Sequence, residues 1–228
     1  MSDAGIAARW NLEDLEQLAA SYRAGKPFPH AVIDDLVAPD TLGALCQAVA
    51  QEPHWPNRGE IYDFMASATT VAHPVLREFH AQLGGPAMLE AVRAITGRPV
   101  TRCDLRSYVY LAGSYLLPHA DSRAARDPTG EDPRPAGNAV PTPRDRGSPI
   151  RRLVAYAYYI HTAGCVGGEL ELFECAMDGD ELVSAKPAVR IAPRDNRLVM
   201  FDVTNGSLHQ VCEVLAGARV SLTGWFLG

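Results

Sequence analysis

No run in this chain of 228 residues approaches the roughly 18 apolar residues that a membrane span requires. An apolar signal core is missing as well. The opening MSDAGIAARWNLEDLEQ carries acidic residues early, which argues against secretion and leads to the expectation of a cytoplasmic protein. Positive charge is in deficit: 21 Lys and Arg stand against 27 Asp and Glu, a net charge of −6. A nucleic-acid backbone is therefore not the expected partner. Paired cysteines are also lacking. Cys46, Cys103, Cys165, Cys175 and Cys212 are odd in number and form no CxxC, which disfavours structural zinc and a disulfide framework. Reduced, mostly buried thiols are expected. What the chain does have is 47% apolar residues, enough for a substantial core, at a length that suits one domain with a helical extension.

Its two ends differ in character. Leu12, Leu15, Leu18, Ala19 and Tyr22 fall at helical spacing and predict a helix over 11–24, with Asn11 as its cap and Pro27 and Pro29 beyond its end. A short strand is predicted from His30 to Asp34. A second helix follows from about Thr41 to Gln51, capped by Asp40. A third covers about 74–95, interrupted near Gly84-Gly85-Pro86. After Gly97, β-rich runs alternate with turn residues: Arg106–Leu111, Leu153–His161, Glu169–Phe173, Ala188–Ile191, Leu198–Asp202, His209–Glu213 and Arg219–Phe226. This layout predicts an α+β chain, mainly β, with helices first and a sandwich or barrel after them. No internal repeat is visible. The segment 122–149 is rich in Pro, Gly and Arg and poor in large apolar residues, so it is expected to be a mobile loop. It begins beside a candidate metal motif and so reads either as a disordered insertion or as a lid.

That motif is His119-Ala120-Asp121. In an extended backbone, residues i and i+2 share a side, so the imidazole and the carboxylate can reach one ion. They supply two-thirds of a 2-His-1-carboxylate set, which leaves positions on Fe(II) open. An HxD pair alone is weak, since surface pairs of this kind arise by chance. His209 on a late β-run supplies a third donor, although a satisfied polar strand residue is its plain alternative. Ten residues further, alternation in Arg219-Val220-Ser221-Leu222-Thr223-Gly224-Trp225 puts Arg219, Ser221, Thr223 and Trp225 on one face. A hairpin through Ala216-Gly217 would bring Arg219 near His209. A guanidinium binds a carboxylate through two hydrogen bonds, and the Ser221 hydroxyl can add a third. A surface ion pair is the alternative for Arg219.

Taken in order, these pieces resemble the prolyl 4-hydroxylase-like branch of the Fe(II)/2-oxoglutarate oxygenases. The resemblance covers roughly 27–52 and 104–228. It rests on Pro27-Phe28-Pro29-His30-Ala31-Val32-Ile33-Asp34, Tyr110, His119-Ala120-Asp121, Tyr158-Tyr159, Gly167-Gly168-Glu169-Leu170, Pro193 to Phe201, His209, and Arg219-Val220-Ser221 with Trp225-Phe226. It implies a double-stranded β-helix (jelly roll, cupin-like) core with N-terminal helices on one face. The chain then reads as one oxygenase domain over 1–228, with 1–97 as helical support and 98–228 as catalytic core. The resemblance assigns His119, Asp121 and His209 to the metal, Arg219 to the far carboxylate of 2-oxoglutarate with Ser221 in support, Tyr159 to the same carboxylate, and Tyr110 and Leu170 to the pocket wall. The run Tyr158-Tyr159-Ile160-His161 departs from the Asn that many members carry. His161 reads as a strand-end residue, with a substrate contact as the alternative.

The resemblance further implies Fe(II), 2-oxoglutarate and O2, with ascorbate as an optional reductant. The reaction expected is hydroxylation of an unactivated C–H bond, releasing succinate and CO2. A carboxylate at 121 implies hydroxylation over halogenation; desaturation and cyclisation stay open. The preferred substrate is a small molecule such as an amino acid or biosynthetic intermediate. A prolyl or similar residue in a peptide or protein is the alternative. A non-catalytic jelly-roll sensor would be the reading if the triad were incomplete. A zinc or manganese cupin acting as an isomerase or hydrolase is the third reading, against which Arg219 and Ser221 speak, since that chemistry needs no diacid clamp.

Overall fold

The computed structural model describes residues 10–122 and 151–228. Its first helix, α1 (Leu15–Ala24), turns Ala19 and Tyr22 inward. The cap is Asp14, whose Oδ1 accepts from the Gln17 N–H at 2.9 Å, so the helix starts later than expected. Asn11 instead donates its side-chain amide to the Asp35 carbonyl. Then come β1 (His30–Ile33) and α2 (Pro39–Gln51). Proline at the first position of α2 leaves no N–H needing a partner, and Ala38, not Asp40, is its N-cap; Asp40 sits in the first turn, where a carboxylate favours the helix dipole.

A hairpin that apolar periodicity did not reveal follows, β2 (Trp55–Gly59) and β3 (Tyr62–Ala66). The predicted third helix is two, α3 (Pro74–Leu83) and α4 (Pro86–Thr96), because Pro86 cannot continue α3 but can begin α4. The remaining strands are β4 (Arg102–Cys103), β5 (Arg106–Leu111), β6 (Tyr115–His119), β7 (Arg152–His161), β8 (Val166–Gly167), β9 (Leu170–Asp178), β10 (Glu181–Ile191), β11 (Arg197–Asp202), β12 (His209–Val211), β13 (Val214–Ala216) and β14 (Ala218–Leu227). The expected mobile loop at 122–149 lies outside the described residues, save Ser122. None of the described helices is long and apolar enough to cross a membrane.

Twelve strands form one curled antiparallel sheet in the order β1-β11-β7-β14-β5-β3-β6-β12-β9-β10, with β2 on β3 and β4 on β14; β8 and β13 pair separately. This is the double-stranded β-helix, with the helices on one face. The period of two decides what lies on each side of it. Val154, Tyr156, Tyr158 and Ile160 of β7, with Leu222 and Phe226 of β14, pack against α1 to α4 in the main core. The intervening Ala155, Ala157, Tyr159 and Trp225 face inward with Leu170, Leu172 and Phe201. Small residues on that inner face leave a cavity of about 500 Å³, lined in part by Ala155, Ala157 and Gly224. The cysteines are free, as expected, but half-buried rather than buried.

Candidate active site

His119 ends β6 and is paired in register with His209, the first residue of β12. Each imidazole is held by the same local device. Nδ1–H of His119 donates to the Leu117 carbonyl at 2.9 Å, and Nδ1–H of His209 donates to the Ser207 carbonyl at 3.0 Å. A carbonyl can only accept, so each Nδ1 carries a proton, and each Nε2 is turned toward Asp121. The two rings lie 4.2 Å apart between centroids. Asp121, in the turn after β6, places Oδ1 3.6 Å from His119 Nε2 and Oδ2 3.9 Å from His209 Nε2. One donor atom from each residue lies within 4.8 Å of the others.

The electrostatics suit a cation. Burial, reinforced by the neighbouring His119, pushes the His209 imidazole down to about 4 against the pull of Asp121, so the ring is neutral at neutral pH. Burial works to raise the Asp121 carboxyl. His209, His119, the Trp225 N–H and Arg152 together outweigh it and hold the group below the ordinary carboxylate range. A neutral His209 imidazole beside His119 and a buried carboxylate matches the donor types of non-haem Fe(II) sites.

Arg219 enters the same cavity from the opposite wall, on β14. Its guanidinium lies 4.8 Å from the ring centres of both Tyr110 and Tyr159, and Nη2 donates to the Tyr159 hydroxyl at 3.3 Å. The residue is 3% exposed, yet its Nε has no protein partner. A buried guanidinium with an unmet donor fits a carboxylate ligand. The Gly167-Gly168 turn makes room for it. Both glycines have positive φ, and a side chain at 168 would crowd Val214 and Arg219.

The predicted residues sort unevenly. His119, Asp121, His209, Arg219, Tyr110 and Leu170 line one cavity. Tyr159 lies behind Arg219. Ser221 is fully buried, and its Oγ accepts from the Thr223 hydroxyl at 3.2 Å; it is not among the residues lining the cavity. His161 is the exposed last residue of β7 and belongs to a separate cavity on the other side of the sheet, beside Cys46 and Val220. The expected hairpin between the His209 and Arg219 strands does not form. β12 pairs with β6 and β9, whereas β14 pairs with β5, β7 and β4, because β13 intervenes and pairs with β8. The two functional groups meet across the cavity, not along a ladder. Trp225 and Arg152 went unassigned by the sequence. The indole Nε1–H donates to Asp121 Oδ2 at 2.6 Å, and the Arg152 guanidinium lies 3.8 Å over the indole. Alternation placed Trp225 on the inner face, but nothing marked its partner.

Comparison with known proteins adds an independent line. The profile of the 2OG-Fe(II) oxygenase superfamily matches residues 105–227. The prolyl 3,4-dihydroxylase OGFOD1 of Ostreococcus tauri is 40% identical over 83 residues, covering 33% of this chain and 16% of that protein. The prolyl 3-hydroxylase sudestada1 of Drosophila melanogaster is 25% identical over 215 residues, covering 89% of this chain and 35% of that protein. The chain thus spans only a minor part of these relatives. A prolyl-4-hydroxylase structure from Pseudomonas putida superposes with a TM-score of 0.60 at 18% identity, covering 92% of this chain and 97% of that one. At that identity the likeness speaks for the fold alone.

Proposed function

Because the chain belongs to the 2OG-Fe(II) oxygenase superfamily and is a 2-oxoglutarate-dependent dioxygenase, we propose that it hydroxylates a prolyl residue within a peptide or protein. The observation that carries this reading is the nature of its relatives, which are named as prolyl hydroxylases. It shifts the preference away from a free small molecule. The cavity supports the shift. Apart from the triad, its formally charged lining residues among those described are Arg152 and Arg219. Among the described lining residues, Asp121 is the one carboxylate available to the ammonium group of a free amino acid. A proline ring inside a chain carries no charge and suits walls such as Tyr62, Phe64 and Leu116.

In this reading His119 and His209 hold Fe(II) through Nε2, and Asp121 holds it through its carboxylate. Bound there, Fe(II) with 2-oxoglutarate and O2 supplies oxidative decarboxylation to succinate and CO2 coupled to C–H hydroxylation. The protein supplies orientation and exclusion of water. Arg219 receives the far carboxylate of 2-oxoglutarate on its unmet donor edge. Tyr159 holds the guanidinium in place from behind, and Tyr110 and Leu170 shield it from solvent. Ser221 orients Thr223 rather than reaching the cosubstrate. The neutral His209 ring keeps its lone pair toward the ion because its Nδ1 proton is engaged by Ser207.

The test is succinate release with mass analysis of the co-product. Proline-containing peptides are expected to gain one oxygen atom in step with succinate, and free proline and other free amino acids are expected to be poor substrates. Coupled turnover of free amino acids with none on peptides would restore the small-molecule reading.

A further inference from the structure

Asp121 is buried, and its two oxygens have different surroundings. Oδ2 accepts a 2.6 Å hydrogen bond from the Trp225 indole, and Oδ1 faces His119 Nε2 at 3.6 Å. The indole N–H can only donate and does not titrate in the working range, so it holds a carboxylate oxygen at any ordinary pH. Trp225 is itself fixed on several sides. Its backbone N–H donates to Asp104 Oδ1 at 2.5 Å, and Arg152 covers its ring at 3.8 Å. Arg152 also reaches the Asp121 backbone carbonyl at 3.4 Å. Indole, guanidinium and the turn holding Asp121 therefore lock one another, although the indole and the carboxylate are 104 residues apart.

We infer that Trp225 is a positioning residue that commits one Asp121 oxygen to the indole and reserves the other for the metal ion, so that Asp121 serves through a single oxygen. The inference rests on the ferrous reading of the triad and adds a reason for the site to retain open positions. A carboxylate free to offer both oxygens would occupy a position that cosubstrate or O2 needs. Groups behind the ligands of a metal site orient them, and their loss typically costs about 10- to 100-fold in metal affinity or activity.

The experiment separates the N–H from the bulk of the ring. Trp225→Phe keeps an aromatic ring and loses the donor. Trp225→Gln loses the ring and keeps an amide N–H of similar reach. Co(II), a visible stand-in for Fe(II), is titrated into the parent protein and both variants, recording dissociation constants and the intensity of the visible bands, which reports coordination number. Thermal melting checks the fold of each. The expected result is binding about 10- to 100-fold weaker in Trp225→Phe with altered band intensity, and partial recovery in Trp225→Gln. Parent-like binding and spectrum in Trp225→Phe would overturn the inference. So would equal losses in both variants, since the ring rather than the N–H would then be responsible. Failure of the parent to bind Co(II) would overturn the metal site itself, whereas parent binding lost in Asp121→Ala but kept in Trp225→Phe would leave that site standing and remove only the role of Trp225.

Discussion

The two walls of the cavity hold their functional groups by different means. On the β6/β12 wall the strands are five and three residues long, and each imidazole is fixed by a carbonyl two positions before it. On the opposite wall Arg219 sits in a ten-residue strand, opposite Tyr110 on β5, while Tyr159 opposes the adjoining Ser221 from β7. The two imidazoles are thus aimed by local bonds, Asp121 by the distant Trp225 indole, and Arg219 by long-range register. Local bonds aim the two imidazoles at strand ends. Long-range register buries a cation that strand ends could not shield from water. Changes to the donors should therefore alter ion binding first, and changes around Arg219 should alter cosubstrate binding first.

The largest effect should come from Asp121→Ala. It removes the anionic donor from between the two imidazoles, so Co(II) binding and coupled turnover should fall below detection. The Trp225 N–H would also lose its buried partner, costing about 1–3 kcal/mol of stability. Calorimetric titration and a thermal melt check both. Near-parent ion affinity would show that the donors of this wall act independently of the carboxylate.

Next is Arg219→Met, where the two walls should part company. Loss of a desolvated charge pair with 2-oxoglutarate is worth about 2–5 kcal/mol, so the apparent cosubstrate requirement should rise roughly 30-fold or more. The unliganded variant should melt no lower than the parent, since a buried guanidinium with an unmet donor carries a desolvation cost that a thioether does not. Saturating 2-oxoglutarate should stabilise the parent, by about 2.7 kcal/mol at 100 times Kd, and leave the variant unmoved. A variant that melts well below the parent without ligand would mean that stacking on Tyr110 and Tyr159 outweighs that cost. Tyr159→Phe probes the same wall more gently. It deletes only the hydroxyl that accepts from Arg219, a loss of about 1 kcal/mol that should raise the cosubstrate requirement roughly fivefold. Cosubstrate titration against succinate release measures it, and ion affinity should not change.

The same contrast explains what could be read from the sequence. That His119, Asp121, His209 and Arg219 would gather in one place was legible, because the i, i+2 spacing of His119 and Asp121 and the alternation along the last strand put these side chains on inward faces, and the structure brings the four to one cavity. The core helices were legible from leucine spacing. The hairpin β2–β3 was not, because Trp55 and Ile61 are exposed and the segment shows no alternation, although Ile61 and Tyr62 line the cavity. The path from His209 to Arg219 was misjudged as a simple hairpin. Gly217, with φ 70, packs its turn against the Gly164 carbonyl, so the chain is carried away to the far wall before β14 begins. The bond from Trp225 to Asp121 has no local signature at all, since a donor at the end of one strand and an acceptor in a distant turn are joined only by curling of the sheet.

Asp34→Asn lies on neither wall and tests how far the comparison extends. Asp34 follows β1 and accepts from Arg197 Nε at 2.7 Å and Nη2 at 3.0 Å, with Arg194 Nη1 at 3.3 Å. It ties the outer strand β1 to the segment entering β11, beyond the reach of the cavity. The Arg197 hydrogen bond, opposed by burial and aided by both guanidinium charges, holds this carboxyl below its ordinary value. The sign then follows. A carboxyl lowered in the folded state stabilises the fold above its unfolded value near about 3.9, and that stability drains away as pH falls through the folded value. The group is about one-third exposed, so water screens the pair and the contribution should be no more than about 0.5–1 kcal/mol. Asp34→Asn should therefore melt slightly below the parent at neutral pH, and the gap should close as pH falls below the unfolded value and through the lowered folded one. Ion and cosubstrate affinities should match the parent. A shift in either would mean that the edge of the sheet is coupled to the walls.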